Sequence, residues 1–296
     1  MSLGLCFGNG CSYRSEFHVG QQVTHIDTAN KTASTDTGHT YHYDICVIAT
    51  GSDAGMPPYC TQARARKTKG VFVYRNIADL EKIIDYADQP HVTRATVVGG
   101  GLLGLEAAKA VYDLPSIPDV SIINRQGYPL SRQLDKEAGT MVLRRIEDMG
   151  VKCLTNVDVS SMITEPCAKD PGMEVFKGFE FVDGECLEAD LVIMAVGISP
   201  RDDLARASGI KCHARGGIEV GDDLQTSAPG VYAMGECASW KGNTYGLIGP
   251  GVEMADILAF NLCQTETKLG KFRPRKMNAP DLSTKLKLMG VDVASL

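Results

Sequence analysis

The feature that most constrains this chain is Val97-Val98-Gly99-Gly100-Gly101-Leu102-Leu103-Gly104, a glycine-rich turn between two apolar stretches of different period. Ala95–Val98 is short and apolar, as a buried strand reads. Gly101–Leu114 has helical spacing: Leu103, Ala107, Ala110, Val111 and Leu114 are expected on one face, and Pro115 lies past the end. Glycines spaced G-x-G-x-x-G between a strand and a helix meet three demands together. Gly99 allows the tight turn, Gly101 lets a pyrophosphate approach the backbone, and Gly104 lets helix and strand pack closely. The phosphates then face free N–H groups at the positive end of the helix. The turn therefore implies an α/β fold and a dinucleotide clamp, with Gly99, Gly100, Gly101, Leu102, Leu103 and Gly104 as candidate ligand residues. A glycine turn in another α/β fold is the structural alternative.

The residue closing the next strand, Val120–Ile123, should report on the ribose. An NAD-selective site carries Asp or Glu about twenty residues beyond the turn for the 2′-hydroxyl. Here Asn124 and Arg125 stand at that place. An amide does not repel a 2′-phosphate and a guanidinium can pair with one, so NADPH is expected to be accepted alongside NADH. In the alternative, Arg125 simply points to solvent.

Around this unit the first fifty residues read as short β-type stretches. Phe17–Ile26 is expected to be a strand pair, Asn30–Gly38 a turn-rich connection and Tyr43–Ala49 a strand buried on both faces. Asp79–Ala87 has helical spacing behind an Asp79 cap, and Gln133–Met149 reads as a second helix stopped by Gly150. Val151–Val157, Met173–Val182 (turning at Asp183-Gly184) and Asp190–Val196 read as extended, Val231–Met234 as a strand and Gly251–Leu262 as a helix. The basic tail Lys268–Lys276 reads as a solvated linker. With a net charge of -6, the chain lacks the cationic balance of a nucleic-acid or anionic-membrane binder. No run approaches the roughly 18 apolar residues of a membrane span and no signal peptide is read, so a cytoplasmic location is expected. The ten cysteines contain no CxxC pair and the six histidines are dispersed, so no metal site is expected. Cys6 and Cys11 have the x4 spacing of a redox disulfide, though no glycine-rich turn precedes them.

Two further stretches place small and polar residues at a strand's C-terminal end: Asp44–Gly51, ending Ala49-Thr50-Gly51, and Thr226–Glu236, ending Met234-Gly235-Glu236. Asp190–Pro200, with Ala195-Val196-Gly197, repeats the strand–glycine pattern of the first. In this order the motifs resemble the two-dinucleotide-fold flavoprotein reductases, the pyridine nucleotide-disulfide reductase family, over about residues 17–262. The resemblance implies a Rossmann-like NAD(P)-binding domain inserted in an incomplete FAD-binding domain, built as three-layer β/β/α units. It implies FAD contacts at Thr50, Gly51, Gly235 and Glu236, Glu106 near the nicotinamide, and Val196-Gly197 along its edge. It also implies that the helix starting near Gly251 aims its positive end at the flavin pyrimidine. Hydride passing from nicotinamide to flavin needs positioning rather than covalent catalysis, so no catalytic residue is assigned.

Finer stretches (Ser131–Asp135, Gly235–Ala238, Tyr245–Asp256 and Asp281–Val293) resemble the assimilatory NAD(P)H-dependent nitrite reductases, fungal ones most. Members of that group pass electrons from NAD(P)H through FAD to an iron–sulfur centre and siroheme, reducing nitrite to ammonium in nitrate assimilation. The implied domains are 1–70 and 199–272 for FAD, 71–198 for NAD(P)H, and 273–296 as a linker to a downstream domain. The family's first glycine-rich FAD turn is not found in residues 1–49, where Gly8-Asn9-Gly10 does not continue as GxGxxG, and Met1-Ser2-Leu3 reads as a vector-derived start. The expectation is a fragment isolated largely without FAD, its siroheme and iron–sulfur cluster confined to the parent protein. A homodimer is one arrangement the sequence allows. The competing readings are a flavin reductase feeding a ferredoxin or rubredoxin, against which Asp281–Val293 speaks, and a nucleotide-binding module inactive by itself.

Overall fold

The structure is a computed structural model describing residues 16–264, 273–288 and 291–295. Cys6, Cys11, Gly8-Asn9-Gly10, the Met1-Ser2-Leu3 start and Lys268 lie outside the described residues. The described residues fall into two compact units, one within 16–50, 201–244, 254–264 and 273–277, the other within 51–200, 245–253, 278–288 and 291–295.

The second unit is organised by a five-stranded, all-parallel sheet in the order Lys152–Thr155, Asp119–Asn124, Arg94–Val98, Leu191–Met194, Val71–Val73. Its strands are apolar almost throughout because both faces are covered. The period of two divides them between two cores. Ala95, Val97, Val120, Ile122, Leu191 and Ile193 face a helical layer contributing Ile83, Leu105, Ala108 and Ile146. Val98, Ile123, Val192 and Met194 face Met162, Phe176 and Phe179. These come from an antiparallel sheet of Val159–Pro166, Glu174–Phe181 and Cys186–Glu188, joined by Thr68–Lys69. The result is a three-layer, Rossmann-like β/β/α arrangement.

Local chemistry moves several boundaries from the sequence reading. The first helix is Ile77–Ala87, capped by Asn76 rather than Asp79; Asp79 is the reciprocal member of a capping box. The glycine-turn helix is Leu102–Tyr112, and its buried face runs through Gly104, Leu105, Ala107, Ala108 and Val111, leaving Leu103 exposed. The next helix is Lys136–Asp148, capped by the Asp135 side chain, with Gly150 (φ +92°) past its end. Val159–Pro166 is a strand the sequence reading lacks, and Thr284–Leu288 pairs antiparallel with Val291–Ser295.

One ionic cluster fastens this sheet. Asp190, just before Leu191–Met194, accepts from the Thr93 and Arg94 backbone N–H groups (3.1 and 3.0 Å) and from the Arg94 guanidinium (3.1 Å). Arg94 also pairs with Glu188. Burial pushes the Asp190 carboxyl up, but the Arg94 guanidinium and the two backbone amides outweigh it and hold the group below the ordinary 3.8. This stabilisation is present above the unfolded-state value and lost as pH falls through the lower folded value. Asp190→Ala should therefore cost about 2 kcal/mol at pH 7. Urea melts should show its deficit narrowing as pH falls below the ordinary carboxylate range; a deficit that does not narrow on acidification would contradict this account.

The other unit holds a three-stranded antiparallel sheet of Val23–Asp27, Thr32–Thr35 and Thr40–His42. The expected strand pair over Phe17–Ile26 reduces to its second half, and the turn-rich connection contains a strand. Cys46–Ile48 pairs in parallel with Val231–Ala233. It is shorter than expected and not covered on both faces: Ile48 is buried, whereas the alternate residue Val47 points outward and is exposed. Asp202 accepts from Arg206 at 2.8 Å and from the Gly217 N–H at 2.7 Å, which ties the helix Asp203–Ala207 to the turn before Ile218–Val220. Among the described residues no helix is long and apolar enough to cross a membrane.

Candidate functional site

Because the strands Arg94–Val98 and Leu191–Met194 are parallel neighbours in register at Val98 and Met194, the turns that follow them emerge at one edge of the sheet. Gly99–Gly101 and Ala195–Gly197 are thus brought together there, with the Ala195 N–H donating to the Val98 carbonyl at 2.9 Å. This is the C-terminal edge of a parallel sheet, where open α/β folds bind ligands.

The glycines differ in what surrounds them. Gly99 takes φ +119°, and a Cβ there would lie 2.3 Å from the Ala195 carbonyl oxygen. At Gly100 a Cβ would meet the Asn124 side chain at 2.7 Å, and at Gly104 the Gly99 carbonyl oxygen at 1.8 Å. Gly101 alone of the four faces open space, with nothing within 4 Å. It is also the N-cap of Leu102–Tyr112, and no side chain caps that helix. Leu105 is the first residue whose N–H turns back into the helix, onto the Gly101 carbonyl. The amides of Leu102, Leu103 and Gly104 are those a helix N-terminus leaves without intrahelical partners. The turn thus presents a backbone face against which an anion can rest.

Asn124 ends the strand Asp119–Asn124 as expected and is buried, while Arg125 is exposed. The Asn124 amide does more than leave room for a phosphate. Its Nδ2 donates to the carbonyls of Gln126 and Tyr128, each at 2.8 Å, and its oxygen faces Gly100. The loop returns to the glycine turn through the Leu130 N–H, which donates to the Gly100 carbonyl at 2.8 Å. Leu130 is a buried residue held at φ +55°, and sequence reasoning passed over it. The glycine in the middle of the following helix, Gly139, was a usable signal for this packing: a Cβ there would strike the Tyr128 ring.

Leu102 and Glu106 lie one helical turn apart, on one face of the glycine-turn helix. Both line a cavity of about 410 Å³ whose other walls are Leu247–Pro250 with Glu253, and Asp281 with Ser283–Leu286. Glu106 is where the family resemblance puts a residue near the nicotinamide. Val196 and Gly197 are both exposed, Gly197 at φ +115°.

In the other unit, the parallel pairing of Cys46–Ile48 with Val231–Ala233 brings together two motifs far apart in sequence. Ala49-Thr50 and Met234-Gly235-Glu236 leave adjacent strand ends, and the Met234 N–H donates to the Ile48 carbonyl at 3.1 Å. Thr50 Oγ1 donates to the Arg201 carbonyl at 2.6 Å. Gly235 adopts φ +75° with no atom within 4 Å of a Cβ position, and its N–H donates to Met254 Sδ. Glu236 follows in a short 3-10 turn with Cys237 buried beneath it. Gly51, the first residue of the parallel-sheet unit, has φ +71° and open space where a Cβ would be. An open glycine and a carboxylate at a strand end, Gly235 and Glu236, fit hydroxyl and phosphate groups of a nucleotide cofactor such as FAD. The helix expected from Gly251 starts earlier, at Ile248, and runs to Gln264. Among the described residues no group of His, Cys, Asp and Glu is arranged to hold a metal ion.

The chain is similar to known proteins over most of its length. The chain is 51% identical over 269 residues to the nitrite reductase of NAD(P)H type from Neurospora crassa, an alignment covering 88% of this chain and 22% of that protein. It is 44% identical over 280 residues to the corresponding protein of Emericella nidulans, covering 95% and 24%. The chain thus spans about a quarter of the length of these two relatives. Among solved structures, an FAD-dependent pyridine nucleotide-disulphide oxidoreductase from Desulfovibrio vulgaris superimposes with a TM-score of 0.72 at 26% identity, covering 90% of this chain and 65% of that one. Residues 11–256 match the sequence pattern of the pyridine nucleotide-disulphide oxidoreductases, and the chain belongs to that family.

Proposed function

We propose that this chain is the NAD(P)H-entry portion of an NAD(P)H-dependent nitrite reductase: it binds the nicotinamide nucleotide and positions it to pass hydride to FAD. The observation that carries this reading is the open face of Gly101 on an uncapped helix, in a turn whose other three glycines are filled by neighbours. Backbone N–H groups of Leu102, Leu103 and Gly104 would hold the pyrophosphate, Asn124 and Arg125 would flank the adenosine ribose, and Glu106, Val196 and Gly197 would border the nicotinamide. Thr50, Gly51, Gly235 and Glu236 would contact FAD, which when bound supplies an acceptor for hydride and returns the electrons singly.

The identity to two fungal nitrite reductases supports nitrite as the terminal acceptor, reached through siroheme and an iron–sulfur cluster carried outside this chain. The proposed NAD(P)H domain keeps 71–198 of the sequence reading, but residues 51–70 lie in the same compact unit, so the FAD-binding segments proposed are 1–50 and 201–244 in place of 1–70 and 199–272. A cytoplasmic setting accords with an assimilatory role.

Titrating the chain with NADH and NADPH tests the nucleotide site. Both should bind, and Arg125→Ala should weaken NADPH about fivefold to tenfold while leaving NADH unchanged, since an exposed cation is worth about that much to a phosphate. Failure of either nucleotide to bind would overturn the reading of the turn. In the full-length protein, the same nucleotides should drive nitrite reduction, and an inability to do so would overturn the nitrite assignment.

A further inference from the structure

Two sulfur atoms lie beneath the turn Met234–Cys237. The Gly235 N–H donates to Met254 Sδ at 3.3 Å, and Cys237 Sγ donates to the carbonyls of Met234 and Ile48 at 3.3 and 3.5 Å. The Ala238 N–H closes the turn on the Gly235 carbonyl. Met254 and Cys237 are fully buried, so these bonds lie on the interior side of the turn. On its other side Gly235 is open, and its φ of +75° is in the region that glycine enters and leaves freely. A thioether is a weak acceptor, yet an amide turned into the core and left without one costs more than the bond itself is worth. Met254 reaches the turn from the helix Ile248–Gln264, with Ile257 and Leu258 buried further along it. That helix is strapped in turn. Asn261 accepts from the Arg275 N–H at 2.8 Å and donates to the Arg275 carbonyl at 2.9 Å, and the Arg275 guanidinium lies 4.0 Å over the Phe260 ring. Met277 is buried, and its N–H donates to the Asp222 carbonyl at 2.7 Å. Arg275, in the stretch expected to be a solvated linker, is thus bound back onto the helix that carries Met254.

We propose that Met254 is a positioning residue for the flavin nucleotide: its sulfur, by taking the Gly235 N–H from the interior side, fixes the left-handed turn that carries Glu236. The proposal rests on the reading of Gly235 and Glu236 as FAD contacts given above. A turn already ordered in the free protein loses less freedom when its ligand binds. Without the sulfur, the Gly235 amide must find another partner, and glycine's freedom lets the peptide rotate out of the left-handed region to reach one. Two substitutions separate this role from packing. Leucine fills the space of methionine at modest cost but accepts no hydrogen bond. Glutamine carries an amide oxygen, a stronger acceptor than sulfur, on a side chain of similar length, while burying a polar group that lowers stability.

The test titrates FAD into the FAD-free full-length protein, with NADH binding as the control. Met254→Leu should weaken FAD about fivefold, the effect of one weak hydrogen bond, and leave NADH affinity unchanged. Met254→Gln should melt at a lower temperature than Met254→Leu yet bind FAD more tightly, within about twofold of the wild type. Loss of packing alone predicts the reverse order of FAD affinity, because leucine disturbs a core less than a buried amide does. A second measurement reads the bond itself and does not depend on the glutamine variant folding. In amide exchange of this chain followed by NMR, Met254→Leu should speed Gly235 about tenfold. Val231 and Ala233, whose N–H groups donate to the Ala228 and Leu224 carbonyls, should keep their rates. If the wild type binds FAD and Met254→Leu binds it equally well, the proposal falls while the FAD reading stands. Unchanged exchange at Gly235, or weaker FAD binding by Met254→Gln than by Met254→Leu, overturns it in the same way. If the wild type takes up no FAD, the reading of Gly235 and Glu236 falls first.

Discussion

Gly101→Ala should leave the fold intact and remove most dinucleotide binding, whereas Gly104→Ala should destabilise the whole NAD(P)H unit. The two glycines lie three residues apart in one turn, yet the space around them is opposite. A methyl group on Gly101 meets no atom within 4 Å, and its backbone (φ -83°, ψ -177°) suits any L-residue. Its cost in stability is limited to a poorer N-cap, under about 1 kcal/mol. The methyl would, however, stand where the pyrophosphate must approach, so NADH affinity should fall by about a hundredfold. At Gly104 the added carbon would lie 1.8 Å from the Gly99 carbonyl oxygen, which belongs to backbone and cannot swing aside. Alanine gains about 1 kcal/mol over glycine in helix propensity, but the clash must push the helix off the strand and outweighs it. A net loss of about 3 kcal/mol, or about 10 °C in melting temperature, is expected. Thermal melts by circular dichroism and NADH titration of both variants check this. Wild-type NADH affinity in Gly101→Ala would mean that the pyrophosphate does not lie on this turn.

That contrast shows what the sequence made readable. The pattern Gly99–Gly104 between an apolar strand and a helix identified the turn, because the need for glycine is local and each position has its own reason. The strand ends at Ala49-Thr50 and Met234-Gly235-Glu236 were also legible as candidate ligand positions, but only the structure shows that their strands are adjacent. Features set by tertiary contact were lost. Leu103 and Leu105 are both leucines in the same helix, and which one turns inward depends on the sheet beneath. Val159–Pro166 alternates too weakly to stand out, since Ser160, Ser161 and Thr164 interrupt it; it is held by seven register pairs to Glu174–Phe181. The cavity walls at Leu247–Pro250 with Glu253 and at Asp281 with Ser283–Leu286 come from segments far apart in the chain, so nothing in their spacing announced that they meet Leu102 and Glu106 around one cavity.

Asn124 is where the sequence reading and the structure diverge in consequence. Read as a motif position, it is an acid replaced by an amide, and restoring the acid should turn the site toward NADH. The structure predicates the opposite outcome: Asn124→Asp should fold poorly and gain nothing in NADH preference. The Nδ2 group donates to two backbone carbonyls at 2.8 Å in a buried place, and those two acceptors fix which way the amide points. A carboxylate has no hydrogen to give. It would set a negative oxygen against two carbonyl oxygens and leave both without their donor, a loss of about 3 kcal/mol. Its neighbours would then favour protonation, because the neutral acid can still donate once. The pKa of the introduced group should rise above the ordinary carboxylate range in the folded state, so its penalty should grow with pH. Denaturant melts of Asn124→Asp should show a larger deficit at pH 8 than at pH 5, with NADH binding weakened at both. Because Leu130 ties the same loop to the Gly100 carbonyl, the damage should reach the glycine turn itself. A stable Asn124→Asp protein with tighter NADH binding would show instead that the two carbonyls do not depend on this amide.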